Sequence, residues 1–346
     1  MLEQHSRAAD FASIASIMLR APNGRGDAFA LAQQSRGVSP RVVSVLKAAS
    51  EGVMLDSTLG DLRIISNGFL DSLRNFGAFD RMLPDMRRIP LATPGVRISS
   101  TALLGYTSAE GTARPVSAIN FTGEQLERLK SDAIIVISDS LAENMTAGAQ
   151  ALLSRELRNG VVGATDLTFL AALAHDVVPL ATTGGTVENI LADLEDMLDA
   201  VPTDTTSRLY LVVNSMTAKH LAVKGAAMPS WQMTPQGGSI AGIPVIVSDY
   251  LPAVGSPAVT AVMLIDAAGI AADSEIVTLD TTTHATLEMT TAPTSTVGGL
   301  GSPSAPVAAE MVSLWQTNSR GLRASRYYGF RKLREDAVAV LEGGAW

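Results

Sequence analysis

An α+β chain is predicted, on three observations: a helical spine of some thirty residues, a ribbon-like stretch ahead of it, and helices alternating with apolar strands behind it. The spine runs from Ser138 to about Leu173. Leu141, Met145, Leu152, Leu153, Leu157, Val161, Leu167 and Leu170 recur there at helical spacing, as on one buried side. Ser140 followed three residues later by Glu143 has the pattern of a capping box, which starts the helix. At 1.5 Å per residue the segment would span about 50 Å, so it reads as a spine laid across a sheet. Gly148, Gly160 and Gly163 each cost about 1 kcal/mol relative to alanine, which puts a break or kink near Gly160. Two ordinary helices in succession is the alternative.

Ahead of the spine, from Arg87 to Val136, the apolar period moves towards two, with Pro90, Pro94 and Pro115 as punctuation. Arg97 to Leu103 and Ala118 to Phe121 read as the arms of a long hairpin around Gly105–Gly111. A two-stranded ribbon this poor in apolar residues is marginal alone, so it is expected to lie on something else. Earlier still, Ser66 or Asn67 can cap a helix that buries Phe69, Leu70, Leu73, Phe76 and Leu83. Residues 1–60 read as an arm that gains order from neighbours, with short helices near Phe11–Met18 and Arg41–Ala49 and a turn at Pro22–Asp27.

Behind the spine, Thr186 caps a helix whose marked face is Ile190, Leu191, Leu194, Met197 and Leu198. Leu209–Val213 reads as a buried strand, Ser215 starts a short helix, and Ile243–Val247 and Val259–Ile265 are further strands. That alternation predicts an α/β subdomain of about a hundred residues. Thr278–Thr291 reads as β and Ala292–Pro306 as a loop. Met311–Gln316 and Leu322–Phe330 are the last long strands, and Ala337–Leu341 a short final one.

Composition narrows the function. The 346 residues are 47% hydrophobic but only 17% charged, where about a quarter is usual; such a surface suits a chain that meets copies of itself. A net charge of −8 argues against a freestanding nucleic-acid binder. With no cysteine there is no disulfide or thiolate chemistry. No apolar run reaches membrane-spanning length, and the N-terminus lacks the pattern of a secretory signal.

Catalytic, cofactor and metal sites are not expected. His5, His175, His220 and His284 are scattered, without metal-ligand spacing. Thr182-Thr-Gly-Gly-Thr186 before a helix could cradle a phosphate, but it lacks the lysine and spacing of a P-loop and reads as a tight turn. Gly298-Gly-Leu-Gly301 is a linker, and Glu195 and Asp196 lie on the solvent side of their helix. A basic run stands out instead: Arg320, Arg323, Arg326, Arg331, Lys332 and Arg334, with no acid among them. Contact with acidic faces of adjacent subunits is favoured over non-specific contact with nucleic-acid backbone. Arg97, Glu110, Arg114, Glu143, Arg155, Glu156, Arg320, Arg323 and Arg326 are the candidate subunit-contact residues.

The order of elements resembles the major capsid protein of tailed double-stranded-DNA phages, the Hong Kong 97-type shell protein. Phe69–Leu83 looks like the helix ahead of that family's extended loop. Gly105-Tyr-Thr-Ser-Ala-Glu-Gly-Thr-Ala-Arg-Pro115 is similar to its loop tip. Ile137–Leu141 leads into the long helix, with Thr165-Asp166 near its end. Gly242-Ile-Pro-Val-Ile-Val-Ser-Asp249, followed by Leu251-Pro252, is similar to its Gly-x-Pro-Val strand and is the most specific match. The match covers about residues 38–342 in order.

The resemblance implies a Hong Kong 97-like capsid fold. Residues 1–60 are its N-terminal arm, 61–85 the helix leading to the loop, and 86–136 the extended loop. Residues 137–186 and 276–334 form the peripheral domain with the spine helix; 187–275 and 335–346 form the axial domain. It implies a structural protein, not an enzyme, whose pentamers and hexamers build an icosahedral shell around packaged double-stranded DNA. Its partners would be itself, the DNA, a portal, a scaffold and decoration proteins. Its place would be the virion, assembled in the host cytoplasm. An encapsulin-like nanocompartment or a gene-transfer-agent capsid is the alternative, and an α/β enzyme a remote one. Some relatives carry a cleaved scaffolding segment of about a hundred residues; only some fifty precede the body here, so the chain is expected to be a mature product or to use a separate scaffold. Some relatives also cross-link a loop lysine. Here Lys47, Lys130, Lys219, Lys224 and Lys332 all lie away from the loop tip, so that cross-link is not expected.

Overall fold

The computed structural model describes residues 10, 13–21, 25–35, 38–51, 77–91, 97–99, 121–123, 126–144, 146–225, 231–255, 258–275, 277–288, 311–342 and 346. The chain is mixed α+β and divides into two compact units: Met1–Arg81, Lys130–Ala172 and Glu275–Tyr327 in one, Met82–Leu129, Leu173–Ser274 and Tyr328–Trp346 in the other. Of the helix expected from Ser66 or Asn67 to Leu83, residues 66–76, with Phe69, Leu70, Leu73 and Phe76, lie outside the described residues, as does the linker at 298–301; the described end is a short helix at Ala78–Met82, and Leu83 stands beyond it in a turn, half-buried rather than buried.

In the first unit, residues 13–20 are helical, followed by α1 (Arg25–Gln34) and α2 (Pro40–Glu51). Ile14, Ile17, Leu19, Ala28, Val42, Val45 and Leu46 are buried there against Leu153, Leu157, Val161, Val162, Leu322 and Ala324. The described part of the arm thus packs on this unit's own core. Amphipathic spacing in that stretch is the same whether the apolar side meets the chain itself or another chain.

The spine is one short helix and one long one. β4 (Leu129–Ser138) runs directly into α4 (Asp139–Glu143); after Asn144 the chain restarts as α5 (Ala147–Ala174). The Ser140–Glu143 capping box does not form. Ser138 is the N-cap, and the Asp139 amide donates to the Asn318 carbonyl at 2.9 Å, so Ser140 is already inside the helix. Asn144 ends α4 by donating its backbone and side-chain N–H groups to the Ser140 carbonyl at 3.3 and 3.0 Å. Thr146 Oγ1 then accepts from the Ala149 amide at 3.3 Å, capping α5. The 28 residues of α5 run unbroken through Gly160. That glycine serves close packing: a Cβ there would sit 3.0 Å from the Ala133 Cβ of β4. The buried side is Leu153, Leu157, Val161, Thr165, Asp166, Phe169, Leu170 and Leu173, whereas Leu141, Leu152 and Leu167 are about half exposed.

Besides β4, the described strands of this unit are β12 (Thr278–Thr282), β13 (Thr286–Glu288), β14 (Met311–Ser313) and residues 319–327 of β15 (Ser319–Lys332). β15 pairs with β4 and, antiparallel, with β12, setting Asp280 opposite Arg323. β13 and β14 pair with each other, Leu287 opposite Val312.

In the second unit the expected alternation is present: α6 (Val187–Ala200), β5 (Leu209–Val213), α7 (Ser215–Gly225), β6 (Trp231–Thr234), β7 (Gly237–Ile240), β8 (Ile243–Val247), β9 (Ala253–Val254), β10 (Val259–Asp266) and β16 (Val338–Glu342). The sheet order is β16-β10-β5-β8-β7-β6, with β9 beside β10. Both helices pack on one face of it: Ile190, Leu194 and Met197 of α6, and Ala218 and Leu221 of α7, over Leu211, Val213, Val245, Val262, Leu264 and Leu341. β7 and β8 are joined by Ala241 (φ 50°) and Gly242 (φ 82°), the two left-handed positions of a type I′ turn. That conformation is the reason for the glycine opening the Gly-Ile-Pro-Val stretch, since open space lies where its Cβ would be. At the far end of the stretch, Asp249 accepts from the Ser215 amide at 2.9 Å, and Asn214 caps α7 through Thr217 N at 2.7 Å. This unit also holds β1 (Arg87–Arg88), parallel to β11 (Ile270–Ser274), which pairs antiparallel with residues 328–332 of β15. β2 (Arg97–Ser99) and β3 (Phe121–Gly123) pair antiparallel, Arg97 opposite Gly123; the second arm thus continues beyond the expected Phe121, and the rest of the expected arms, 100–103 and 118–120, lies outside the described residues.

Candidate assembly surfaces

Most of the basic run at 320–334 lies on β15, the strand expected there. Side chains alternate along β15, so parity, not a three-residue step, sorts them. The even positions Arg320, Leu322, Ala324, Arg326 and Tyr328 are all buried, whereas Arg323 is exposed. Arg326 is 0% exposed and grips Asp80, itself 2% exposed, through two bonds of 2.9 and 2.6 Å. Its guanidinium also lies 5.2 Å from the Phe79 ring centre, and Phe79 meets Phe169 edge-on at 5.1 Å. Asp166 holds the same corner from α5, accepting from the Ala78 and Phe79 amides at 2.8 and 3.1 Å, at the start of α3 (Ala78–Met82). Arg320 is 7% exposed and bonds Asp139 at 2.5 Å and the Leu19 carbonyl at 2.9 Å. In the second unit Arg334 pairs with buried Asp266 at 2.6 Å.

Arg320 and Arg326, named for subunit contacts, are therefore internal ties. Of the other residues expected at subunit contacts, some reach the surface. Arg323 does, paired across the strands with Asp280 at 2.8 Å; that hydrogen bond holds its guanidinium pKa above the ordinary value. The pair borders a groove of about 220 Å³ that Ile134, Leu287 and Leu322 also line. Glu143 is exposed on α4, and Arg155 and Glu156 are exposed on α5, 3.3 Å apart. Arg97 occupies the first position of β2. Glu110 and Arg114 lie outside the described residues.

The Thr182–Thr186 turn closes on a buried acid that sequence reasoning missed. Asp193, 0% exposed on α6, accepts from Thr182 Oγ1 at 2.8 Å, Thr183 N at 2.8 Å, Thr183 Oγ1 at 2.6 Å and Trp346 Nε1 at 2.8 Å. Burial pushes its pKa up, but these bonds to the charged form outweigh burial and leave it below the usual carboxylate value. The turn is a tight turn in which Thr182 Oγ1, Thr183 N, Thr183 Oγ1 and Gly184 N already donate within the chain. The one available signal was Asp193 falling on the apolar side of its helix, four residues after Asn189. Among the described residues no group of three histidine, cysteine or acidic side chains is placed to hold a metal ion, and no helix is long and apolar enough to cross a membrane.

No family model matches the chain. By sequence it is similar to a curated protein, the capsid polyprotein of Pseudomonas phage PAJU2. The two are 27% identical over 330 residues, covering 86% of this chain and 46% of that protein. This chain thus spans about half the length of that relative. Among solved structures, one from Gordonia phage Cozz superposes with a TM-score of 0.49 at 12% identity, covering 77% of this chain and 86% of that one. An encapsulin complex from Synechococcus elongatus gives a TM-score of 0.41 at 13% identity, over 77% and 87% of the two chains.

Proposed function

We propose that this chain is the major capsid protein of a tailed double-stranded-DNA phage, identical copies of which close into an icosahedral shell of the Hong Kong 97 type. The observation that carries the reading is the similarity to a phage capsid polyprotein over 86% of the chain. The fold supplies features such a role needs. A two-stranded sheet pairs with no other described strand, as suits a ribbon laid on a neighbour. A surface of low charge suits repeated contact between copies. The role is structural rather than catalytic. On this reading residues 86–136 are the extended loop, 137–186 with 276–334 the peripheral domain, and 187–275 with 335–346 the axial domain. The protein resides in the virion after assembly in the host cytoplasm, with portal, scaffold and packaged DNA as partners. Arg97, Glu110, Arg114, Glu143, Arg155, Glu156 and Arg323 are its contact residues between subunits.

Electron microscopy of the natively purified protein tests this directly, alone and with scaffold and portal. Capsomers or closed particles are expected. A monomer under every one of those conditions overturns the reading.

A further inference from the structure

We infer that the outer face of α6 in one copy seats against the outer face of α7 in the next, joining copies head to tail. The inference rests on the shell reading and names one contact within it. α6 carries Glu188, Glu195, Asp196 and Asp199 on its exposed side and has no lysine or arginine along its length. Glu188, Leu191, Glu195 and Asp199 follow one another at steps of three and four, so they share a face. α7 is the converse. Met216, Lys219, His220 and Val223 form its exposed stripe at the same spacing, with Lys224 beside it and no acid anywhere in the helix. Met216 is 60% exposed and Val223 78%, so the stripe is apolar as well as cationic. Among the described residues none of these acids or lysines has an ion-pair partner within the chain, although acids and bases elsewhere are paired freely.

Their positions explain why one chain cannot satisfy them. α6 packs on β16, at one edge of the sheet, and α7 packs on β6, at the other. The acidic face and the cationic, apolar face thus stand over opposite flanks of one unit. A surface whose two complementary halves lie on opposite flanks makes a heterologous contact, which closes into a ring or runs on as a filament. The charge complementarity selects a second copy as the occupant, because every copy carries both halves. Apolar Met216 and Val223 flank the cation, and Leu191 sits among the acids, so the contact excludes water around its ion pairs.

Charge reversal tests it. One variant carries Glu195→Lys with Asp199→Lys; the other carries Lys219→Glu with Lys224→Glu. All four sites reach solvent, and unchanged thermal midpoints will show that both variants fold. By sedimentation velocity, each variant alone is expected to need at least a tenfold higher concentration than the natural chain to associate. Mixed in equal amounts, the two are expected to associate at the natural concentration, since each now complements the other. Association of either variant alone at the natural concentration overturns the inference while leaving the shell reading intact. Failure of the mixture to recover also overturns it. A natural chain that never associates overturns the shell reading itself.

Discussion

At the scale of single residues, the chain ties itself together with buried charges that local sequence does not announce. Removing one member of the Asp80–Arg326 pair leaves the other charge uncompensated where water cannot reach it. Arg326→Met is therefore expected to cost about 3–5 kcal/mol in urea unfolding. Arg323→Met, which breaks a pair at the surface, should cost about 0–1 kcal/mol. Equal losses for the two would refute the inside–outside assignment of β15. Asp193 gives a prediction in pH. Its folded pKa lies below the unfolded value of about 3.9, so the stability it contributes is complete above that pH. That contribution drains away as pH falls towards the folded pKa. Asp193→Asn should lower stability at neutral pH and flatten its fall below about pH 4, read from unfolding curves between about pH 2.5 and about pH 7. An unchanged acid slope would mean the carboxylate is not held as described.

At the scale of elements, α5 shows propensity yielding to packing. Intrinsic preference puts a break at Gly160, yet the helix continues, and the glycine leaves room for β4, since a Cβ there would sit 3.0 Å from that of Ala133. Gly160→Val should thus destabilise by about 1–3 kcal/mol through overpacking against Ala133, despite removing a poor helix former. Stabilisation on thermal unfolding would show that the close approach is absent. The real interruption at Asn144 comes from side chains that compete with the helix backbone. Thr146→Ala should cost about 1 kcal/mol by removing the cap of α5, with no effect on α4.

At the scale of the whole molecule, predictions concern assembly. β2 and β3 pair only with each other among the described strands, so replacing residues 97–123 by a short glycine–serine linker should leave the thermal midpoint near its natural value while closed particles fail to form. A collapse of the midpoint would place the hairpin in a core. Particles boiled in detergent and reductant should release one band near 36.1 kDa, because there is no cysteine and no lysine at the expected loop tip. A ladder of resistant oligomers would reveal a covalent bond between copies.

What the sequence determined by itself was whatever repeats within a few residues. Periodicity located α6, β5, β8, β10 and β16, the turn at Thr182–Thr186 was read as a turn, and the colinear motifs carried the resemblance. These follow from the chain because an element's buried side is written in the spacing of its own residues. Tertiary structure decided which side chains meet. Arg326 finds Asp80 across 246 positions, and Arg320 finds Asp139 across 181. No local pattern encodes such a partner. The steps from 320 to 323 to 326 look like a stripe only at a helical period. On a strand, register with β12 and β4 sends the first and last of them into the core and the middle one out, and that register exists only once the strands have paired.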